Sequence, residues 1–198
     1  MYLVLALIGI TLLRARERAG AIMLAIVSVL FLALNLPFII PSLSVPESSV
    51  DFLTTALTVV GLVAAIASSI ALLRHADRGP ARRLAAAVGT LCLLAVAVSI
   101  VARLAYEGAE ASPGDIRMVL QDIEFKPQRI SGGAGEISVF LENKDTVLHT
   151  FTIEELDVDV DVPGNGSARV TFEAEAGMFE FICLPHEQDM DGSLRVDS

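Results

Sequence analysis

One thiol, two imidazoles and one thioether stand at spacings that suit a single metal ion. In FICLPHEQDMDGSL, residues 181–194, Cys183 is followed by His186 at the third position and Met190 at the seventh. His149 lies upstream, in ENKDTVLHTFTI, on a stretch with strand character. A soft thiolate favours Cu(I), imidazole accepts both Cu(I) and Cu(II), and a weak axial thioether completes the trigonal set that proteins use for type 1 copper. A coordination sphere acceptable to both oxidation states leaves little to rearrange when one electron moves. Residue by residue, plainer readings stand beside this one: Cys183 as a core cysteine, His149 as a satisfied strand histidine, Met190 as a packing residue. A Cys-His-His set also holds zinc, for which methionine is a poor ligand. With only two cysteines and three histidines in 198 residues, the joint placement favours copper.

For these side chains to meet, the fold must bring residue 149 against residue 183. The hydrophobic period there is two. Ile137, Val139 and Leu141 alternate with Ser138 and Glu142, and Val170 and Phe172 alternate with Thr171 and Glu173. SGGAG, NKD, PGNG and EAG break the pattern every ten residues or so, a rhythm that predicts an antiparallel sandwich of short strands. EGAEASPGD, residues 107–115, reads as a linker, so the domain is expected to occupy 116–198. A β-domain of that size benefits from an added staple, which a bound ion supplies. In DVDVDVP, Val158, Val160 and Val162 should face a core while Asp157, Asp159 and Asp161 face water and blunt a sheet edge. Three carboxylates on one strand lack the wrapped loop that calcium prefers. Met178 is expected in the core.

The first 106 residues are of another kind. Stretches 19–40, 51–73 and 84–106 are each about 20 residues of apolar sequence, enough to cross roughly 30 Å of hydrocarbon as helix. A fourth, 1–13, is a short span or the tail of a helix. A cleaved signal peptide is not expected, because Arg14, Arg16 and Arg18 follow the apolar run instead of preceding it. These arginines, with Arg74, Arg78, Arg82 and Arg83 in a second loop, assign both connections to the cytoplasmic side and send everything after Tyr106 outward. From Glu107 onward there are twenty acidic and six basic residues, a net charge of −14, against +4 before it. Cys92 sits inside the last span and cannot pair with Cys183, which leaves an external thiol that must be buried, reactive or metal-bound. No histidine or carboxylate lies inside the spans, so an anchor is expected rather than an ion pathway. Gly61, Ser68 and Ser69 are small enough for close helix packing, Arg103 is placed to snorkel, and His75 reads as a solvated charge partner.

Residues 116–197 resemble the cupredoxins, the plastocyanin and azurin kind of blue-copper domain. The matching features are DIEFKPQRI before a Gly-rich turn, ENKDTVLHTFTI with the first histidine, and GMFEFICLPHEQDMDGSLRV with its Cys-x2-His-x3-Met order. The resemblance implies an eight-strand or similar Greek-key sandwich, all β, and the apolar stretches place it behind a transmembrane bundle of three to four helices. It implies one copper ion at one end, bound by His149, Cys183, His186 and axial Met190. Thr150 stands where several relatives carry asparagine, although its backbone amide can still bond the thiolate. The loop from His186 to Met190 is one residue shorter than in plastocyanins, and a four-span anchor is unusual for the family. A binuclear oxidase-type centre needs two cysteines in the ligand loop and is excluded.

The expected role is single-electron transfer on the outer face of the cytoplasmic membrane. No acid–base pair, nucleophile or substrate pocket emerges, so an enzyme is not expected. The acidic domain predicts a basic redox partner such as a c-type cytochrome, besides membrane lipid, and no nucleic acid. The alternatives are copper handling (storage, delivery or sensing) and a metal-free sandwich that binds partners.

Overall fold

The computed structural model describes residues 16–74 and 79–198, with the side chains of 79–82 left aside. The apolar run 1–13, Arg14, His75 and Arg78 lie outside the described residues. The chain divides into two compact units, one ending at Ser44 and resuming over Phe52–Ser99, the other made of Val45–Asp51 and Ile100–Ser198.

The helices are α1 (Glu17–Leu34), α2 (Leu36–Ser44), α3 (Ser49–Leu73) and α4 (Gly79–Ala105). Glu17–Leu34, Ser49–Leu73 and Arg83–Ala105 are long and apolar enough to cross a membrane. Large apolar side chains such as Leu93, 73% exposed, stand on their surfaces, as lipid contact requires. The expected single span 19–40 is instead broken at Asn35. Pro37 has no amide hydrogen to return to the Ala33 carbonyl, and its ring crowds that carbonyl. Asn35 bridges the break: its backbone and side-chain nitrogens donate to the Phe31 carbonyl at 3.1 and 2.8 Å, and its own carbonyl accepts from Phe38 and Ile39. Of the three small residues expected at helix contacts, Ser69 is buried, whereas Ser68 is exposed and Gly61 has open space around it.

The second unit is a sandwich of nine strands: β1 (Ile116–Leu120), β2 (Phe125–Lys126), β3 (Arg129–Gly133), β4 (Gly135–Asn143), β5 (His149–Ile153), β6 (Val158–Val162), β7 (Ser167–Ala174), β8 (Gly177–Ile182) and β9 (Asp191–Asp197). They form a four-stranded sheet in the order β2-β1-β4-β7 and a five-stranded sheet in the order β3-β9-β8-β5-β6. The expected antiparallel sandwich also contains two parallel pairs, β1 with β4 and β3 with β9. β2 and β3 are two halves of one path that changes sheets at Pro127, where the missing amide hydrogen cannot continue the first ladder.

Between the sheets Phe125, Phe151 and Phe181 pack with ring centroids 5.0 to 6.2 Å apart, among buried Leu120, Leu141 and Leu194. Gly192 makes room for this cluster: a Cβ there would overlap the Phe181 ring and stand 2.5 Å from the Gln128 carbonyl oxygen. Alternation along β8 turns Phe179 and Phe181 inward, and Cys183 follows in the same phase. Met178 therefore points outward and is 66% exposed, contrary to its expected core position.

On β6, the edge of its sheet, Val158 and Val162 are buried and Asp159 and Asp161 exposed, as expected. Asp157 is not part of that strand; it ends the 3-10 turn Glu154–Leu156 in a left-handed conformation, φ 55°. The linker is not slack. Ala109 and Ser167 exchange hydrogen bonds, and the Tyr106 hydroxyl donates to the Ser167 carbonyl at 2.6 Å and accepts its amide at 3.0 Å. Arg103, expected to snorkel, donates to the Asn165 carbonyl at 2.9 Å and stands over the Tyr106 ring.

Candidate metal centre

Each of the four candidate residues is placed by the five-stranded sheet. His149 opens β5, Cys183 follows β8, His186 closes the 3-10 turn Leu184–His186, and Met190 precedes β9. The turn forms because Pro185 sits in its first residues, where a missing amide hydrogen costs nothing. It is closed by the His186 amide on the Cys183 carbonyl, and the Cys183 amide then reaches the Met190 carbonyl at 3.0 Å. The eight residues 183–190 thereby fold back on themselves between two paired strands.

The Cys183 sulfur lies 3.5 Å from Nδ1 of His149 and 3.5 Å from Nδ1 of His186. All three ligand atoms lie within 4.8 Å of one another. The donor set fits a metal ion: nitrogen and thiolate bonds of about 2.0–2.3 Å in a trigonal plane separate their donors by about 3.5–3.8 Å. His149 and Cys183 are fully buried, Met190 is 1% exposed, and of the four His186 alone is partly open. Met190 thus lies in the same core cluster as Cys183, tied to it through the backbone.

Burial pushes the Cys183 thiol above its ordinary 9.0, against the opposing pull of the Thr150 and His186 amides. The thiolate therefore needs an ion, or donors, to form at neutral pH. Burial also takes the His186 imidazole below its ordinary 6.5, helped by repulsion from His149 and opposed by Asp51, Asp145 and Asp189. Its neutral, metal-ready form extends to lower pH.

A second layer holds these donors. The Thr150 amide donates to the Cys183 sulfur at 3.3 Å. Leu184 donates its amide to the Thr150 hydroxyl at 2.8 Å, and that hydroxyl lies 3.1 Å from Thr152 Oγ1. Thr152 spends its hydrogen on the Asp159 carboxylate at 2.8 Å. The order of donors is then fixed: Leu184 amide to Thr150, Thr150 to Thr152, Thr152 to Asp159. Asp51, from the Val45–Asp51 segment of the same unit, accepts the Leu148 amide one residue before His149 at 2.6 Å.

His149 Nε2 donates to Asp145 Oδ2 at 2.9 Å. Burial works against the Asp145 carboxylate, but the Ile123 amide, the His149 ring and the Asp122 amide outweigh it and hold its carboxyl below the usual range. An ionised carboxylate only accepts, so Nε2 carries the ring proton and Nδ1 offers its lone pair toward the sulfur. Asp145, Thr152 and Asp159 were not among the residues expected at the site. Asp145 was hidden in NKD, read as a chain breaker, although it stands four residues before His149.

A family model described as a cupredoxin-like domain matches residues 90–196. No protein among curated sequences matches the chain. Among solved structures, a reduced mutant of amicyanin is 17% identical over 44% of this chain and 87% of its own, with a TM-score of 0.38. The Cu(I) form of another amicyanin mutant is 17% identical over 46% and 90%, with a TM-score of 0.40. A copper-containing nitrite reductase from Thermus scotoductus SA-01 is 23% identical over 47% of this chain and 25% of its own, with a TM-score of 0.36.

Proposed function

Because this chain belongs to the cupredoxin-like domain family, we propose that it is a membrane-anchored type 1 copper protein, an electron carrier and not an enzyme. One copper ion would be held by His149, Cys183 and His186, with Met190 as the axial ligand. The observation that carries this reading is the convergence of one sulfur and two Nδ1 atoms, each nitrogen 3.5 Å from the sulfur. Copper bound there would supply one-electron exchange between Cu(II) and Cu(I).

The protein's own contribution is rigidity and enclosure. The Thr150 amide steadies the sulfur, and Thr150 and Asp145 brace the ligand loop and the His149 ring. Burial of three of the four side chains excludes a substrate from the coordination sphere and favours an outer-sphere role. His186, the half-open member, is the exit for electrons, with Leu184, 43% exposed, two residues before it in the chain.

The three apolar spans hold the domain at the cytoplasmic membrane, with residues 107–198 outside. The exposed acidic residues Glu154, Glu155, Asp157, Asp159 and Asp161 on and before the edge strand support docking of a basic partner such as a c-type cytochrome. Association that slows as ionic strength rises is the expected sign of it.

The deciding experiment is an optical spectrum of the full chain loaded with Cu(II) in detergent. Electron transfer requires an intense thiolate-to-copper band that bleaches and returns over repeated reduction and oxidation, and that a Cys183→Ser variant lacks. Retention of Cu(I) alone, easily given up to a chelator, would replace this reading with copper handling.

A further inference from the structure

We propose that Asp145 is the positioning residue of His149: its carboxylate fixes the tautomer and direction of that ring and biases a bound copper ion toward Cu(II). The bias rests on the copper reading above, whereas the tautomer does not.

The carboxylate sits in a cradle that the backbone is bent to make. Oδ1 accepts the Asp122 amide at 3.0 Å, and Oδ2 accepts the Ile123 amide at 3.1 Å together with His149 Nε2 at 2.9 Å. Asp122 and Ile123 are the two central residues of the hairpin between β1 and β2, closed by Gln121 and Glu124 exchanging backbone hydrogen bonds. Both have positive φ, 62° and 59°. A two-residue hairpin of this kind prefers Asn-Gly or Asp-Gly, and a β-branched residue with positive φ is an outlier. Such strain persists where the surroundings demand it, often at functional sites. Here successive amides aim at one anion, an arrangement known to bind negative charge.

The rest of Asp145 is equally pinned. Its amide donates to Asn143 Oδ1 at 2.9 Å and its carbonyl accepts the Asn165 amide at 2.8 Å. Asn143 in turn donates to the Val147 and Val162 carbonyls, and Val162 pairs with His149 across β5 and β6. The carboxylate therefore cannot follow the ring; the ring must follow the carboxylate.

Two consequences follow from the donor Nε2. The ring is committed to the tautomer with a free Nδ1, and a hydrogen bond to a carboxylate makes the imidazole a stronger donor. A stronger donor next to a half-buried negative charge favours the more highly charged ion. Asparagine at 145 has the same shape but only one accepting atom. With that oxygen in the place of Oδ2 it still accepts the Ile123 amide and Nε2–H, so the tautomer is kept while the negative charge is lost.

The test uses the full chain in detergent with 15N-labelled histidine, metal-free at pH 8. His149 in the parent should show the Nε2–H tautomer, and Asp145→Asn, with its oxygen kept on Ile123 and Nε2, should retain it without the charge. Loaded with copper, Asp145→Asn should lose about 10- to 100-fold in Cu(II) affinity and less in Cu(I) affinity. Its reduction potential should rise by about 59 mV for each tenfold of that difference. An Nδ1–H tautomer in the metal-free parent overturns the proposal whether or not the variant folds. So does an Asp145→Asn variant with unchanged potential. If the parent shows Nε2–H but the loaded chain shows no thiolate band, the tautomer assignment is upheld and it is the copper reading that fails.

Discussion

Replacing Thr150 with valine keeps the shape of the side chain and removes one hydroxyl from the middle of a directed chain. The Leu184 amide, next to Cys183, then loses its acceptor, and Thr152 loses the donor that faces it across 3.1 Å. Thr150 and Thr152 are buried and the bond from the Leu184 amide is half-buried, so water replaces these partners only in part. An unpaired buried donor costs about 1–3 kcal/mol, and the Thr150 backbone bond to the sulfur is retained. We expect a loss of about 2 kcal/mol, which for a domain of this size lowers Tm by roughly 8–16 °C. Thr152→Val should cost less, because the Asp159 carboxylate it abandons is exposed and can be hydrated. The double variant should fall short of the sum by about 0.5–1 kcal/mol, as partners in one network do. Calorimetry of the metal-free chain reads the stability, and thiol-exchange kinetics in a Cys92→Ser background read the loosening of the ligand loop at Cys183. A Thr150→Val chain within about 0.5 kcal/mol of its parent, with Cys183 equally slow to react, would refute the relay as a restraint.

Gly192→Ala forces a methyl group into the Phe181 ring and toward the Gln128 carbonyl, and should cost about 1–3 kcal/mol as overpacking does; equal denaturation midpoints would contradict the packing described. Copper loading should release a proton from Cys183, whose thiol burial holds above 9.0, so Cu(II) affinity should fall about tenfold per pH unit lowered through pH 8 to 7, measured by competition with a chelator. His186, taken below 6.5 by burial, should add its own competition only at more acid pH. Asp161→Asn should stabilise the domain at neutral pH by up to about 0.5 kcal/mol. Partial burial, then repulsion from Asp159 and Glu47, raises this carboxyl above 3.8, so the folded state favours the proton. The stability withheld by ionisation returns as pH falls through the raised value, and the advantage of asparagine should vanish below 3.8, which denaturation at several pH values would check.

What could be seen in the sequence was whatever rests on residue type and short spacing. Cys183, His186 and Met190 share one short loop, and His149 opens the one strand pattern able to face it. Alternating valines marked β6, and apolar length marked the spans. Features set by backbone direction stayed hidden. Hydropathy sums side chains and is blind to the amide that Pro37 lacks, so a broken helix read as one span. Alternation fixes which residues share a face but not which face is inward, and Met178 fell on the outer one. Parallel pairing of β1 with β4 depends on where a path changes sheets, which no local pattern records. Asp145 escaped notice because its partners, two backbone amides and one ring nitrogen, come from a hairpin more than twenty residues upstream and a strand just after it.

β9 is the last strand of the sandwich and lies between β3 and β8, not at a sheet edge. During synthesis His149 and its carboxylate brace emerge well before the cysteine loop, and the slot for β9 stays vacant until that loop has been made. A metal meeting the nascent domain early would find one imidazole and no thiolate. Loading of an ion onto these side chains therefore belongs after the final strand is threaded.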